Sequence, residues 1–271
     1  MNWRVFAKKD VLDAYRTWRL GTTAVAFALL LAVPTYFRVS NPPGGGPDEL
    51  NFFASMGFVL FLVPLAALML SYDAIAGERE RGSLKLLLGL PATRRDVVTG
   101  IAVGRAAVVG TAAVVGVVAA ALVFVAFGGP LPLGSFVVFL ALAVLLGAAY
   151  AGPAVGFSAA SSTSNRAMAT SVGFFLLTLL GWSSVPNLLR YVLNGFSAPG
   201  GPKPEWAIFL DRLSPVQAYQ AAFSGYVPTE GTVVSPPDAF YYSDWFGVLV
   251  LVGWAVVPVA LGYRRFRQVD L

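Results

Sequence analysis

The side chains capable of chemistry gather in one stretch, Gly77 to Val97 (GERERGSLKLLLGLPATRRDV). There Glu78, Arg79, Glu80 and Arg81 alternate in sign before Gly82, Ser83, Leu84, Leu87, Leu88, Pro91 and Arg94. Alternating charges and leucines form ion pairs and protein contacts; they do not form a nucleophile. Catalysis has little else to draw on, because the 271 residues include neither histidine nor cysteine. That removes the usual general base and the soft ligands of most zinc, copper and iron sites, and with them any serine-histidine or histidine-dependent metalloprotease. No Gly-x-x-x-x-Gly-Lys-Ser/Thr sequence is present, so nucleotide chemistry has to come from a partner. The chain is expected not to be an enzyme and to hold no cofactor or metal of its own.

The elements that must carry this stretch are membrane spans. Charged residues are only 12% of the chain, against about a quarter in a soluble domain. Apolar runs exceed the roughly 18 residues needed to cross a bilayer. The pattern predicts an all-α integral membrane protein with six transmembrane helices, at about 21–37, 52–72, 101–127, 135–157, 167–189 and 245–263. The charged stretch then falls in a loop, 73–97, and a longer loop spans 190–244. Pro34, Pro64, Pro153 and Pro258 each offer a place for a span to break.

Basic residues are retained on the cytoplasmic side of a membrane. Here Arg38, Arg190, Lys203 and Arg212 are the four on one side, and the other fifteen of the 19 lie on the side that holds both termini. Both termini are therefore expected in the cytoplasm. Membrane lipids account for the net charge of +5, with no need for nucleic acid. Ahead of the first span, residues 1–19 place Trp3, Ala7, Val11, Ala14, Tyr15 and Trp18 at helical spacing and basic residues around them, which predicts an amphipathic helix lying on the inner leaflet. None of the six spans carries Asp or Glu near its middle, which argues against a proton- or ion-coupled carrier or a charge-lined channel.

Within the loop, Asp73 and residues 78–81 extend the second span into water and Gly82 stops it. Ser83 is placed to cap a short helix, Leu84 to Leu90, that Pro91 closes, and Thr93 with Asp96 forms a capping pair for the third span. Leu84, Leu87 and Leu88 share one face of the short helix, fit for a groove on a partner or for the lipid interface.

In these residues the chain resembles the membrane-spanning permease subunits of type-2 ABC exporters. The resemblance rests on Asp73, Gly77 to Glu80, Gly82 with Ser83, Leu84, Leu87, Leu88, Pro91, Arg94 and Gly104, and on Leu213, Ser214 and Pro215 in the last outer loop. Tyr72-Asp73 and Leu86-Leu87-Leu88 are most similar to the permeases of the copper-processing group that matures nitrous oxide reductase. The resemblance implies a permease of the cell membrane whose short loop helix couples to a separate ABC ATP-binding subunit carrying ATP and Mg. It implies a second contact around Ser161, Ser164, Asn165 and Arg166, a second permease copy or homologous permease beside it, and export. For copper itself the chain offers only Met56, Met69 and Met168, too scattered to read as a site.

The outer loop places Trp206, Phe209, Leu213 and Tyr219 at helical spacing, with Pro215 among them, which predicts an amphipathic outer helix or a re-entrant hairpin; the resemblance implies that this segment caps the translocation path as an outer gate, and a helix resting on the outer leaflet is the alternative. Gly100/Gly104 and Gly152/Gly156 form Gly-x-x-x-Gly steps that bring helices close. A carrier or channel not driven by ATP, and a membrane anchor for an ATPase, are the alternative readings.

Overall fold

The computed structural model describes residues 2–42, 48–84, 93–226 and 239–268, which are helical almost throughout and include no strand. The helices are α1 (Trp3–Arg16), α2 (Arg19–Ser40), α3 (Glu49–Ser55), α4 (Val59–Ser71), α5 (Ala76–Glu80), α6 (Arg94–Ala126), α7 (Leu133–Ala160), α8 (Ser164–Leu176), α9 (Ser184–Leu193), α10 (Glu205–Arg212), α11 (Pro215–Tyr226) and α12 (Asp244–Arg267). Five segments are long and apolar enough to cross a membrane: α2, Phe52–Glu80, α6, α7 and α12. At 33 residues α6 is about 50 Å long, well beyond the roughly 30 Å of a hydrocarbon core.

The fifth crossing differs from the expected straight span at 167–189. Leu177–Gly181 winds as a π-turn after α8, and the chain then bends by 72° into α9. A π-turn next to Gly181, Ser183 and Ser184 loses the regular ladder of hydrogen bonds, which is a usual cause of a sharp kink. Apolar composition continues across the bend, which is why hydropathy alone draws one span. The four prolines singled out in the sequence all sit inside unbroken helices instead.

Phe6 of α1 and Phe266 of α12 share a small core with Ile75, Leu84, Val97, Val98 and Val259, so both ends of the chain lie at one end of the bundle. Ser164 also starts there, bonded to Glu80, whereas α12 begins at the far end. The bent pair α8–α9 lies between them, and read as one span it brings the candidate crossings among the described residues from five to six.

Close helix approach is bought with glycine. A Cβ on Gly156 would fall 2.3 Å from the Pro258 carbonyl oxygen, and one on Gly262 would fall 2.3 Å from that of Gly156. On Gly100 it would fall 2.4 Å from Phe6 Cβ. Without a hydrophobic drive between helices in lipid, such backbone proximity is what packs them. Both Gly-x-x-x-Gly steps are thus spent within the chain: one receives α12 and the other receives α1.

Helix α1 forms as the sequence predicts, and the structure adds which side chains it turns to the protein. Phe6 and Ala14 are buried against α6, while Tyr15 and Trp18 are left 71% and 76% exposed. Trp18 caps α2 in the left-handed region, φ 59°, and turns the chain from interface helix to span.

Candidate functional site

The charged loop is built as a platform. Arg81 and Glu78 form an exposed ion pair at 3.2 Å, and Ser83 donates to the Glu78 carbonyl and carboxylate. Gly82 ends α5 with φ +74°, a conformation that costs glycine little. At the other edge, Thr93 and Asp96 make a reciprocal capping box that starts α6.

The two loops expected to contact a partner are joined to each other. The hydroxyl of Ser158, wholly buried near the end of α7, accepts the backbone N–H groups of Ile75 and Ala76, each at 3.0 Å. Arg79 donates to the Ser161 carbonyl at 2.7 Å. Glu80 accepts from the Ser164 hydroxyl at 2.6 Å and from its backbone N–H at 3.1 Å, at the first turn of α8. A carboxylate there satisfies an orphan amide and faces the positive end of the helix dipole. Thr163 caps the same helix from within its own chain segment. Asn165 and Arg166 point outward beside this junction, and Arg166 donates to Ser162.

Phe266 locks the C-terminal helix to this platform. Its buried ring takes both the Arg79 and the Arg94 guanidinium groups, 5.4 and 5.5 Å from its centre. Arg94 also donates to the carbonyls of Phe266 and Arg267, the orphan acceptors at the end of α12. Nε and one terminal nitrogen of Arg79 are buried without a hydrogen-bond partner.

Leu84 corrects the leucine face drawn from sequence. It is 1% exposed and packs into the chain's own small core, so it anchors the loop and presents nothing to a partner. The spacing argument placed it on a face without knowing which way the face turns. Leu87, Leu88 and Pro91 lie outside the described residues.

Sequence reasoning missed the tie beneath α1. Asp10 pairs with Arg105 of α6 at 3.2 Å, both side chains nearly buried, and Arg105 also donates to the Leu70 carbonyl at the end of α4. One Asp10 oxygen has no partner. Burial pushes the Asp10 carboxyl above its ordinary value, overriding the opposing pull of Arg105. A polar cavity of about 300 Å³ separates α1 from the loop here. Only the Gly100–Gly104 step could have signalled this docking: a Cβ on Gly104 would meet Asp10 Cβ at 2.8 Å.

At the opposite end, of the two forms expected for the outer segment, one helix or a hairpin, the structure has two helices, α10 and α11, meeting at Leu213-Ser214-Pro215. Trp182 donates to the Leu210 carbonyl and Trp254 to that of Leu213, each at 2.8 Å. Ser214, fully buried, donates to the carbonyl of Thr178 inside the π-turn, and Thr178 shares a hydrogen bond with Tyr150 at 2.9 Å. Tyr219 is buried and stacks on Phe223, and Phe209 packs on Phe240, Tyr241 and Phe246. Trp206 stays 38% exposed at the rim. Of the three candidate soft donors, Met56 is buried in the large core while Met69 and Met168 face outward.

Comparison with known proteins agrees across the whole chain. The family model described as ABC-2 family transporter protein matches residues 4–271. A relative from Pseudomonas aeruginosa, "Probable ABC transporter permease protein NosY", is 28% identical over 281 residues, covering 97% of this chain and 96% of its own. A protein of the same name from Stutzerimonas stutzeri is 28% identical over 283 residues, covering 98% of each.

Proposed function

This chain belongs to the ABC-2 transporter family and is a multi-pass permease subunit of an ATP-binding cassette transporter in the cell membrane, and from that premise we propose that its basic end is the seat of a separate ATP-binding subunit. The observation that carries the proposal is the junction of the two loops through Ser158, Arg79–Ser161 and Glu80–Ser164. Because α4, α7 and α8 all end in that junction, a push on either loop moves three spans together. Elements packed this tightly pass on rigid-body shifts and do not deform locally.

Basic residues concentrated at this end put it in the cytoplasm, with both termini. ATP and Mg belong to the partner, which supplies the hydrolysis that this chain has no groups to perform. Leu87, Leu88 and Pro91 form the contact, with Asn165 and Arg166 as its outer neighbours. The α10–α11 hairpin closes the far end of the path, and its latch to the π-turn lets a shift of α8 release it, in the direction of export. A second permease completes the path.

The test is affinity purification of the tagged chain from its native membrane. Leu87→Asp and Arg166→Glu should each lose a co-purifying ATPase while the permease remains folded by gel filtration. An intact chain that brings down no ATPase, or an ATPase retained by both variants, would reject the seat. Deleting Glu205 to Tyr226 with transport intact would end the gating role of the hairpin.

A further inference from the structure

We propose that the groove between the start of α6 and the end of α12 is a binding site for an anionic glycerophospholipid. The groove encloses about 730 Å³, in the range of roughly 300–1,000 Å³ typical of small-molecule sites. Its walls are apolar, from Ala102 and Val103 on one helix and Val256, Val259 and Ala260 on the other, and Val103 and Val256 are openly exposed toward the membrane. Arg95, Arg264 and Arg267 line the same groove, with no carboxylate among the lining residues.

The two helix ends lie side by side because Arg94 donates to the Phe266 and Arg267 carbonyls. Arginines in the last turn of α12 are explained by its dipole, but Arg95 is not. It stands in the first turn of α6, where a cation is disfavoured. The neighbouring acid, Asp96, commits its carboxylate to Thr93. None of the three arginines forms an ion pair among the described residues. A bound phosphate group resolves the repulsion, and acyl chains fill the apolar slot below it. Basic pockets at the cytoplasmic ends of spans take anionic headgroups in this way.

The absence of cysteine from the chain makes the test clean. Ala260→Cys, carrying a fluorophore, is reconstituted in phosphatidylcholine bilayers, and brominated phosphatidylglycerol or brominated phosphatidylcholine is used as the quencher. Phosphatidylglycerol should be preferred at this position by about fivefold or more, the weight of a single basic contact to an anionic headgroup. A label at Leu122→Cys, exposed on α6 away from the arginines, should show no preference. The preference should vanish in Arg95→Gln/Arg264→Gln/Arg267→Gln and diminish in Arg264→Gln alone, a substitution on an exposed side chain that keeps the fold. Equal quenching by the two lipids, or a preference that survives both variants, overturns the proposal. So does a disulfide between copies at residue 260, since that would put a second chain in the groove.

Discussion

Replacing Ser158 by alanine tests the joint between the loops at its centre. The substitution leaves the buried amides of Ile75 and Ala76 without an acceptor. Each orphaned buried donor costs about 1–3 kcal/mol, so the pair costs roughly 2–6 kcal/mol. A water does not repair the loss, because the vacated hydroxyl is smaller than the roughly 30 Å³ a water occupies. At tenfold per 1.4 kcal/mol, local opening around Ile75 becomes about 30 to 20,000 times more frequent. Hydrogen exchange of the peptide covering residues 72–80, followed by mass spectrometry in detergent or nanodiscs, reads that opening directly. Ser161→Ala is the control, because Arg79 bonds to the carbonyl of Ser161 and not to its hydroxyl, and exchange there should stay as in the wild type. Unchanged exchange in Ser158→Ala would refute the claim that this hydroxyl holds the loops together.

Gly100→Val should undock α1: overpacking costs about 1–3 kcal/mol against a helix-propensity gain of only about 0.3 kcal/mol, so thiol labelling of the buried position in an Ala14→Cys background should quicken by roughly 3- to 90-fold. Asp10 has a raised pKa in the folded protein, so its contribution to α1 docking is fully present below the ordinary value of 3.8 and is lost as pH rises through the folded value. Asp10→Asn should therefore dock α1 at least as firmly as the wild type at neutral pH, and the difference in labelling between the two should fade as pH falls through the acid range; a firmer wild type at neutral pH would contradict this. Leu84→Ala should lower stability by about 2–5 kcal/mol as a core truncation, seen as a fall in Tm, whereas Arg166→Ala should leave Tm nearly unchanged.

What was legible in the sequence was local. The capping box of Thr93 and Asp96 and the stop at Gly82 depend on residues three or four apart, and both stand as read. The apolar runs revealed the helices, because backbone groups in lipid have few other ways to be satisfied. The bend after α8 was hidden because a π-turn changes hydrogen bonding without changing composition. The inward turn of Leu84 was hidden because periodicity defines a face but not its neighbour. Asp10 with Arg105, and Arg79 and Arg94 with the Phe266 ring, join residues far apart in the chain, where no spacing rule reaches. The glycine steps did mark close approach, but only the structure shows that α1 and α12 fill them.

The Glu80–Ser164 contact grips one end of a rod whose other end is the π-turn. From Ser164 to Gly181 that rod is 18 residues long, about 27 Å. A tilt of about 5° at the gripped end carries the far end sideways by about 2.4 Å over that length, comparable to the reach of the Ser214–Thr178 hydrogen bond. On the proposed coupling the protein is geared accordingly: a rotation too small to disturb the handle would be enough to pull the latch.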